Sequence, residues 1–209
     1  MSKLRIYGVA FSRAIGPIWA ALELGIDYEN VPIGWDDDSI HGEAYRRINP
    51  NARVPAIEDG EFILWETLAI NFYLAKKHGG PLAPRTLEED ALAMQWSLWA
   101  TIHLERTLFP WMQHNYLLDP PDRKPDVAAK AMADLQPLFG VLDGQLAKAP
   151  YLLGDRFTVA DLNVACVLLR PRYQTPLDYG PFANLKTWDK AVFDRPAAKK
   201  AWAIRQASA

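Results

Sequence analysis

The chain has 209 residues, half of them hydrophobic, which is enough apolar material for one large domain or two small ones. Its 23 Lys and Arg nearly balance 25 Asp and Glu, a formal net charge of -2, and no basic run supplies the footprint of a nucleic-acid binder. The single cysteine, Cys166, excludes an intrachain disulfide and a Cys-x-x-Cys redox pair, and no segment approaches the roughly eighteen apolar residues of a membrane span.

The opening MSKLRIYGVAF reads as a strand and not as a signal peptide, so a cytoplasmic location is expected. KLRIYGV (3–9) is the first strand. From Ser12, Ile15, Ile18, Trp19 and Leu22 recur at helical spacing, and Gly25 supplies a stop. Tyr28 to Ile33 alternates as a strand, and Pro32 makes it an edge strand. A short helical patch, Glu43 to Ile48, ends at the Asn49-Pro50 turn. Val54 to Ile57 and Phe62 to Trp65 form a hairpin across Asp59-Gly60. A helix then runs from Thr67 through Leu68, Phe72 and Ala75, closing on Lys76-Lys77-His78-Gly79-Gly80 with cations at its negative end. The order is βαβαββα.

After GGPLAPRT (79–86) the strand patterns cease. Leu92, Trp96, Trp99 and His103 share a helix face that continues to Pro110, and Ala128 to Leu146 forms another, with a kink expected at Pro137. Further helices are expected at Thr158 to Leu169, near Leu185 to Phe193, and after Pro196.

The chemistry concentrates in RVPAIEDGEFILWETLAI (53–70). A proline opening a strand at a sheet rim is often cis, which would turn the peptide groups of Val54 outward. At Glu66-Thr67 a helix begins with unpaired amides and partial positive charge. An extended peptide could pair with Val54, set a carboxylate at the helix start against the Thr67 hydroxyl, and offer an amine to Glu66. Commoner roles also fit: Glu66-Thr67 as an N-cap with a first-turn acid, and Pro55 as a trans edge-strand proline.

NPNARVPAIEDG, WETLAINFYLAKK and LLGDRFTVADL together are similar to motifs of the cytosolic glutathione transferases. The first resembles that family's glutathione-binding strand, and the second its Glu-Ser-x-Ala-Ile helix start with Thr67 replacing serine. The third resembles its N-capping box and hydrophobic staple, Thr158 being the N-cap, Asp161 its reciprocal partner and Phe157 packing on Leu162. The chain resembles the family, in its bacterial type, over essentially its whole length. The resemblance implies a thioredoxin-like α/β domain (1–80), a linker (81–87) and an all-α domain (88–209). It also implies glutathione as co-substrate, no metal, a homodimer and a role in detoxification. The activity expected is attack of the thiolate on a small apolar electrophile or an organic hydroperoxide.

Two hydroxyls could activate the thiol. Ser12, four residues after Gly8 in YGVAFSRAIGP, matches the serine of the plant phi-type and related bacterial enzymes. Tyr7 lies near the catalytic tyrosine of the alpha, mu and pi enzymes, but aligning the first helices puts Ile6 there. Ser12 is preferred and Tyr7 is the runner-up.

By the same resemblance Val54, Pro55, Glu66 and Thr67 hold glutathione. Arg53, where phi-type enzymes have glutamine, and His41 are assigned to its glycine end. Residues 9–14 contain no cysteine and Cys166 reads as core, which disfavours thiol-transferase chemistry. Phe11, Trp111 and Tyr116 are expected to wall an apolar pocket between the domains. The alternative is a non-catalytic binding or assembly module on the same fold; retention of Ser12, Val54-Pro55 and Glu66-Thr67 argues against it.

Overall fold

A computed structural model describes residues 3–34 and 37–208. β1 (Leu4–Tyr7), α1 (Ile15–Leu24), β2 (Tyr28–Val31), α2 (Glu43–Arg46), β3 (Ala56–Asp59), β4 (Phe62–Trp65) and α3 (Thr67–His78) follow in the expected order. The four strands lie in the order β2-β1-β3-β4, with β1 parallel to β2 and antiparallel to β3, and β3 antiparallel to β4. β2 is an edge strand, consistent with Pro32 following it.

β1 is covered on both faces, which explains why it reads as an apolar run and not as strict alternation. Ile6 is fully buried, and Tyr7, on the opposite face, packs with Ile40, Tyr45, Ala52 and Ala56. Gly25 closes α1 at φ 65°, its N–H reaching the carbonyls of Ala21 and Leu22.

Several boundaries differ from the sequence reading. α1 begins at Ile15, because residues before it fold into a turn closed by Ser12. β3 begins at Ala56, since Pro55 has no amide to give the ladder. A short 3-10 turn, Asp38–His41, precedes α2 and was not anticipated.

The chain folds as two compact units, Met1–Pro84 with Phe193–Ala209, and Arg85–Val192. The final helix, α9 (Pro196–Ala207), therefore belongs with the first unit and not with the helices it follows in sequence. The reason is local to α1. Both carboxylate oxygens of Glu23 receive Arg195, at 2.8 and 2.6 Å, and the Trp19 ring lies 5.7 Å from that of Phe193.

The second unit contains α4 (Leu87–Trp99), α5 (Arg106–Met112), α6 (Pro125–Leu146), α7 (Val159–Gln174) and all but the last residue of α8 (Ala183–Phe193). Helical structure continues beyond Pro110, which sits inside α5 with π-helical stretches on either side, Ala100–Glu105 and Gln113–Leu117. α6 runs through Pro137 and α7 through Pro171.

Thr86 caps α4 by accepting the Glu89 amide at 3.2 Å, while the Glu89 carboxylate accepts the Arg85 amide at 2.7 Å. The capping box at α7 forms as expected. The Asp161 carboxylate accepts the Thr158 amide at 3.0 Å, and the Thr158 hydroxyl accepts the Ala160 amide at 3.3 Å. Cys166 is not core: it is half-buried within α7.

Candidate functional site

The β-sheet register sets the site. Tyr7 pairs with Ala56 and Ala56 with Trp65, so Gly8, Pro55 and Glu66 occupy the next position in a row at one end of the sheet. Three segments named in the sequence analysis therefore emerge together: the turn after β1, the Val54-Pro55 peptide and the start of α3.

Gly8 joins the first two. It sits at φ 125°, and a Cβ there would stand 2.8 Å from Ala14 Cβ, 3.0 Å from Val54 Cβ and 3.3 Å from Ser12 Oγ. Glycine both tolerates that backbone and lets Val54 and Ser12 approach. The Ser12 hydroxyl donates to the Val9 carbonyl at 2.7 Å and accepts the Ala14 amide at 3.1 Å. The amides of Ile15 and Gly16 go to the carbonyls of Ser12 and Arg13, and Pro17 has none. The start of α1 therefore keeps its dipole but has few free N–H groups, which leaves the Ser12 hydroxyl as the donor best able to change partners.

The Val54 segment is held from behind. The Arg53 carbonyl accepts the Tyr45 hydroxyl at 2.8 Å and the Asn49 amide at 2.7 Å. Asn49, itself buried, also accepts the backbone and side-chain N–H groups of Asn51 at 3.0 and 3.1 Å. Ala52 takes a left-handed conformation, φ 51°, and the Val54-Pro55 bond is cis. Among the described residues, neither the N–H nor the C=O of Val54 meets a hydrogen-bond partner. A strand-like peptide group is thus displayed with both its donor and its acceptor open.

At the start of α3, Glu66 sits at φ 76° and ψ 118°, a region that costs a non-glycine residue about 1–3 kcal/mol. Its side chain is exposed and makes no capping bond, so the ordinary N-cap role considered for it does not form. Thr67 is buried, and its hydroxyl meets no partner among the described residues.

Tyr7 is committed elsewhere. Its hydroxyl donates to the Glu58 carboxylate and accepts Arg5 Nη1 at 2.6 Å, a triad set by the Arg5–Glu58 register. Burial and the Glu58 carboxylate push its phenol up to about 12, so it stays neutral at physiological pH.

Arg53 and His41 are exposed. His41 ends the 3-10 turn, and its carbonyl accepts Arg46 Nε at 3.1 Å. The Phe11 ring lies 4.4 Å below the guanidinium of Arg205. In the second unit, Trp111 is buried edge-on to Tyr116 at 6.1 Å, and borders a cavity of about 430 Å³ with His114, Arg123 and Met132. Sequence reasoning missed Tyr45, Asn49 and Arg205. Asn49 was visible only as half of a turn dipeptide, and nothing local marked the other two.

The chain matches the sequence profile of "Glutathione S-transferase, N-terminal domain" over residues 2–76 and that of "Glutathione S-transferase, C-terminal domain" over residues 100–196. It is 31% identical to glutathione S-transferase 1 of Zea mays, covering all of both chains. It is also 31% identical to glutathione S-transferase GstB of Escherichia coli K12, over 85% of this chain and 86% of that protein. Among solved structures, maize glutathione S-transferase I in complex with an atrazine glutathione conjugate superposes with a TM-score of 0.91 at 27% identity, covering both chains entirely. The theta-class enzyme of Xanthomonas axonopodis pv. citri with glutathione bound gives 0.87 at 28% identity, over 96% of this chain and 97% of that one. With both domain profiles matched and a relative of this identity aligned from end to end, the chain belongs to the glutathione S-transferase family.

Proposed function

We propose that this protein is a serine-type glutathione transferase. The observation that carries the reading is the close approach of both Ser12 and Val54 to Gly8, since the open peptide group of Val54 suits the cysteinyl residue of glutathione. Val54 pairs with that residue's backbone and thereby aims its sulfur at Ser12. Thr67 donates its hydroxyl to the γ-glutamyl carboxylate at the positive end of α3, and the exposed Glu66 carboxylate takes the amine. Arg53 and His41 serve the glycine carboxylate. Phe11, Trp111 and Tyr116 supply apolar surface for the electrophile.

The upper end of the available energies meets the requirement. The thiolate is the nucleophile, and bringing a thiol from about 8.5 down by about two units requires roughly 2.7 kcal/mol. When sulfur binds, the Ser12 proton leaves the Val9 carbonyl for the thiolate while Oγ keeps the Ala14 amide. That exchanges a neutral bond of about 1 kcal/mol for a charge-assisted one of about 1.5–3 kcal/mol. The dipole of α1 adds about 0.3–1 kcal/mol.

The glutathione conjugate held by the maize enzyme supports conjugation as the reaction, with hydroperoxide reduction a second outlet for the same thiolate. We further assign a cytoplasmic homodimer that uses glutathione without a metal. An activity panel of chlorodinitrobenzene, an isothiocyanate and cumene hydroperoxide separates the two reactions.

Binding of glutathione tests the site itself. Thr67→Ala is expected to weaken glutathione by about 1.5–3 kcal/mol, roughly ten- to a hundredfold in Kd, because the carboxylate loses a charge-assisted donor. Calorimetric titration of a folded Thr67→Ala variant with unchanged affinity would remove Thr67 from the site.

A further inference from the structure

Arg205 lies on α9, nearly two hundred residues from the Ser12 turn, and it is buried in the first unit. Its Nη1 donates to three successive carbonyls: Ala10 at 3.0 Å, Phe11 at 2.6 Å and Ser12 at 3.4 Å. The guanidinium carbon stands 4.4 Å from the Phe11 ring centroid and 5.9 Å from that of Trp202. A buried cation needs acceptors for its donors, and here the backbone carbonyls of the turn that carries Ser12 are among them.

We propose that Arg205 is a positioning residue for the Ser12 hydroxyl, so that the C-terminal helix sets the geometry in which the thiol is activated. The proposal rests on the assignment of Ser12 above. Three carbonyls converging on one nitrogen fix the turn that holds Ser12 Oγ beside Gly8. The helix is itself anchored at its other end by the forked Arg195–Glu23 pair, so the clamp has a rigid base. Arg13 is exposed in the turn, Lys200 is exposed on α9, and Lys199 pairs with Asp194 at 2.9 Å. Lysine in place of Arg205 would keep the charge but lose the delocalised guanidinium that lies over Phe11.

The test is a pH titration of the thiolate absorbance of bound glutathione in the wild type, Ser12→Ala, Arg205→Leu, Arg205→Lys and the Ser12→Ala/Arg205→Leu double variant. Affinity for S-methylglutathione is measured alongside. Arg205→Leu is expected to raise the bound thiol by about half to one pH unit, and to lower kcat/KM for chlorodinitrobenzene at neutral pH about three- to tenfold. Arg205→Lys should fall between it and the wild type, and S-methylglutathione affinity should change less than about twofold. In the Ser12→Ala background the Arg205→Leu shift should largely vanish, because the two residues act as one unit.

An unshifted Ser12→Ala would overturn the Ser12 assignment. A shifted Ser12→Ala with wild-type titration in both single Arg205 variants would overturn the positioning role alone. Full additivity in the double variant would also overturn it, since the charge would then act without Ser12. If Arg205→Leu fails to fold, Arg205→Lys and Trp202→Ala decide, and wild-type titration in both overturns the proposal.

Discussion

Replacing Ser12 with alanine is expected to raise the thiol of bound glutathione by about one to two pH units, toward its free value, for a lost bond of about 1.5–3 kcal/mol. At neutral pH the conjugation rate should then fall roughly ten- to a hundredfold, while glutathione affinity changes much less. The structure explains why the hydroxyl should dominate. The nearby amides of Ile15 and Gly16 are already bonded to backbone carbonyls within the turn, so they cannot replace it without unwinding the start of α1. Tyr7→Phe is the matched control. Its hydroxyl is held by Glu58 and Arg5, so its loss should leave the titration where it was. A titration moved by Tyr7→Phe and not by Ser12→Ala would reverse the two roles.

The largest effect on stability is expected far from this chemistry, at Asp161. Its carboxylate is fully buried and accepts from the Leu152 amide at 2.9 Å, the Thr158 amide at 3.0 Å, the Thr158 hydroxyl at 3.1 Å and the Trp188 indole at 2.9 Å. A capping residue alone is worth about 0.5–2 kcal/mol. Here Asp161→Ala would also strand buried donors from two other segments, each costing about 1–3 kcal/mol. A loss of about 3–5 kcal/mol follows, a large part of the roughly 5–15 kcal/mol that holds a typical domain. Denaturant unfolding checks it. A loss under about 1 kcal/mol would mean that these donors find water or other partners. Asp161→Asn should be milder, because one amide oxygen can still serve two of the donors while its NH2 opposes the Thr158 amide.

What could be read from the sequence was what depends on neighbours along the chain. Thr158 and Asp161 sit three apart, Asp59-Gly60 marks its hairpin, and Pro55 follows a valine at a strand start. Thr86 and Glu89 have the same spacing, and Thr86, the last residue of the linker stretch 79–86, caps α4. Other features depend on pairs that only folding brings together. Glu58 reaches Tyr7 through the β1–β3 register, and Arg205 meets the turn before α1 from the far end of the chain. Asp161 was legible as a cap, but its bonds to Leu152 and Trp188 were not. At Glu66 local reasoning favoured a cap, and the left-handed backbone that turns its side chain away was invisible. A conformation that costs energy and is kept at the start of α3 is where local rules are expected to fail.

The central claim is that this chain binds glutathione as its thiolate, and proton release measures that most directly. Glutathione and S-methylglutathione are each titrated calorimetrically at neutral pH in two buffers of different ionisation enthalpy. Free glutathione is almost fully protonated at sulfur, so lowering its thiol to about 6.5 on binding should release roughly 0.7 proton per molecule bound. S-methylglutathione, which has no thiol proton, should bind without that release. Buffer-independent heats for glutathione, or the same release from both ligands, would contradict the account.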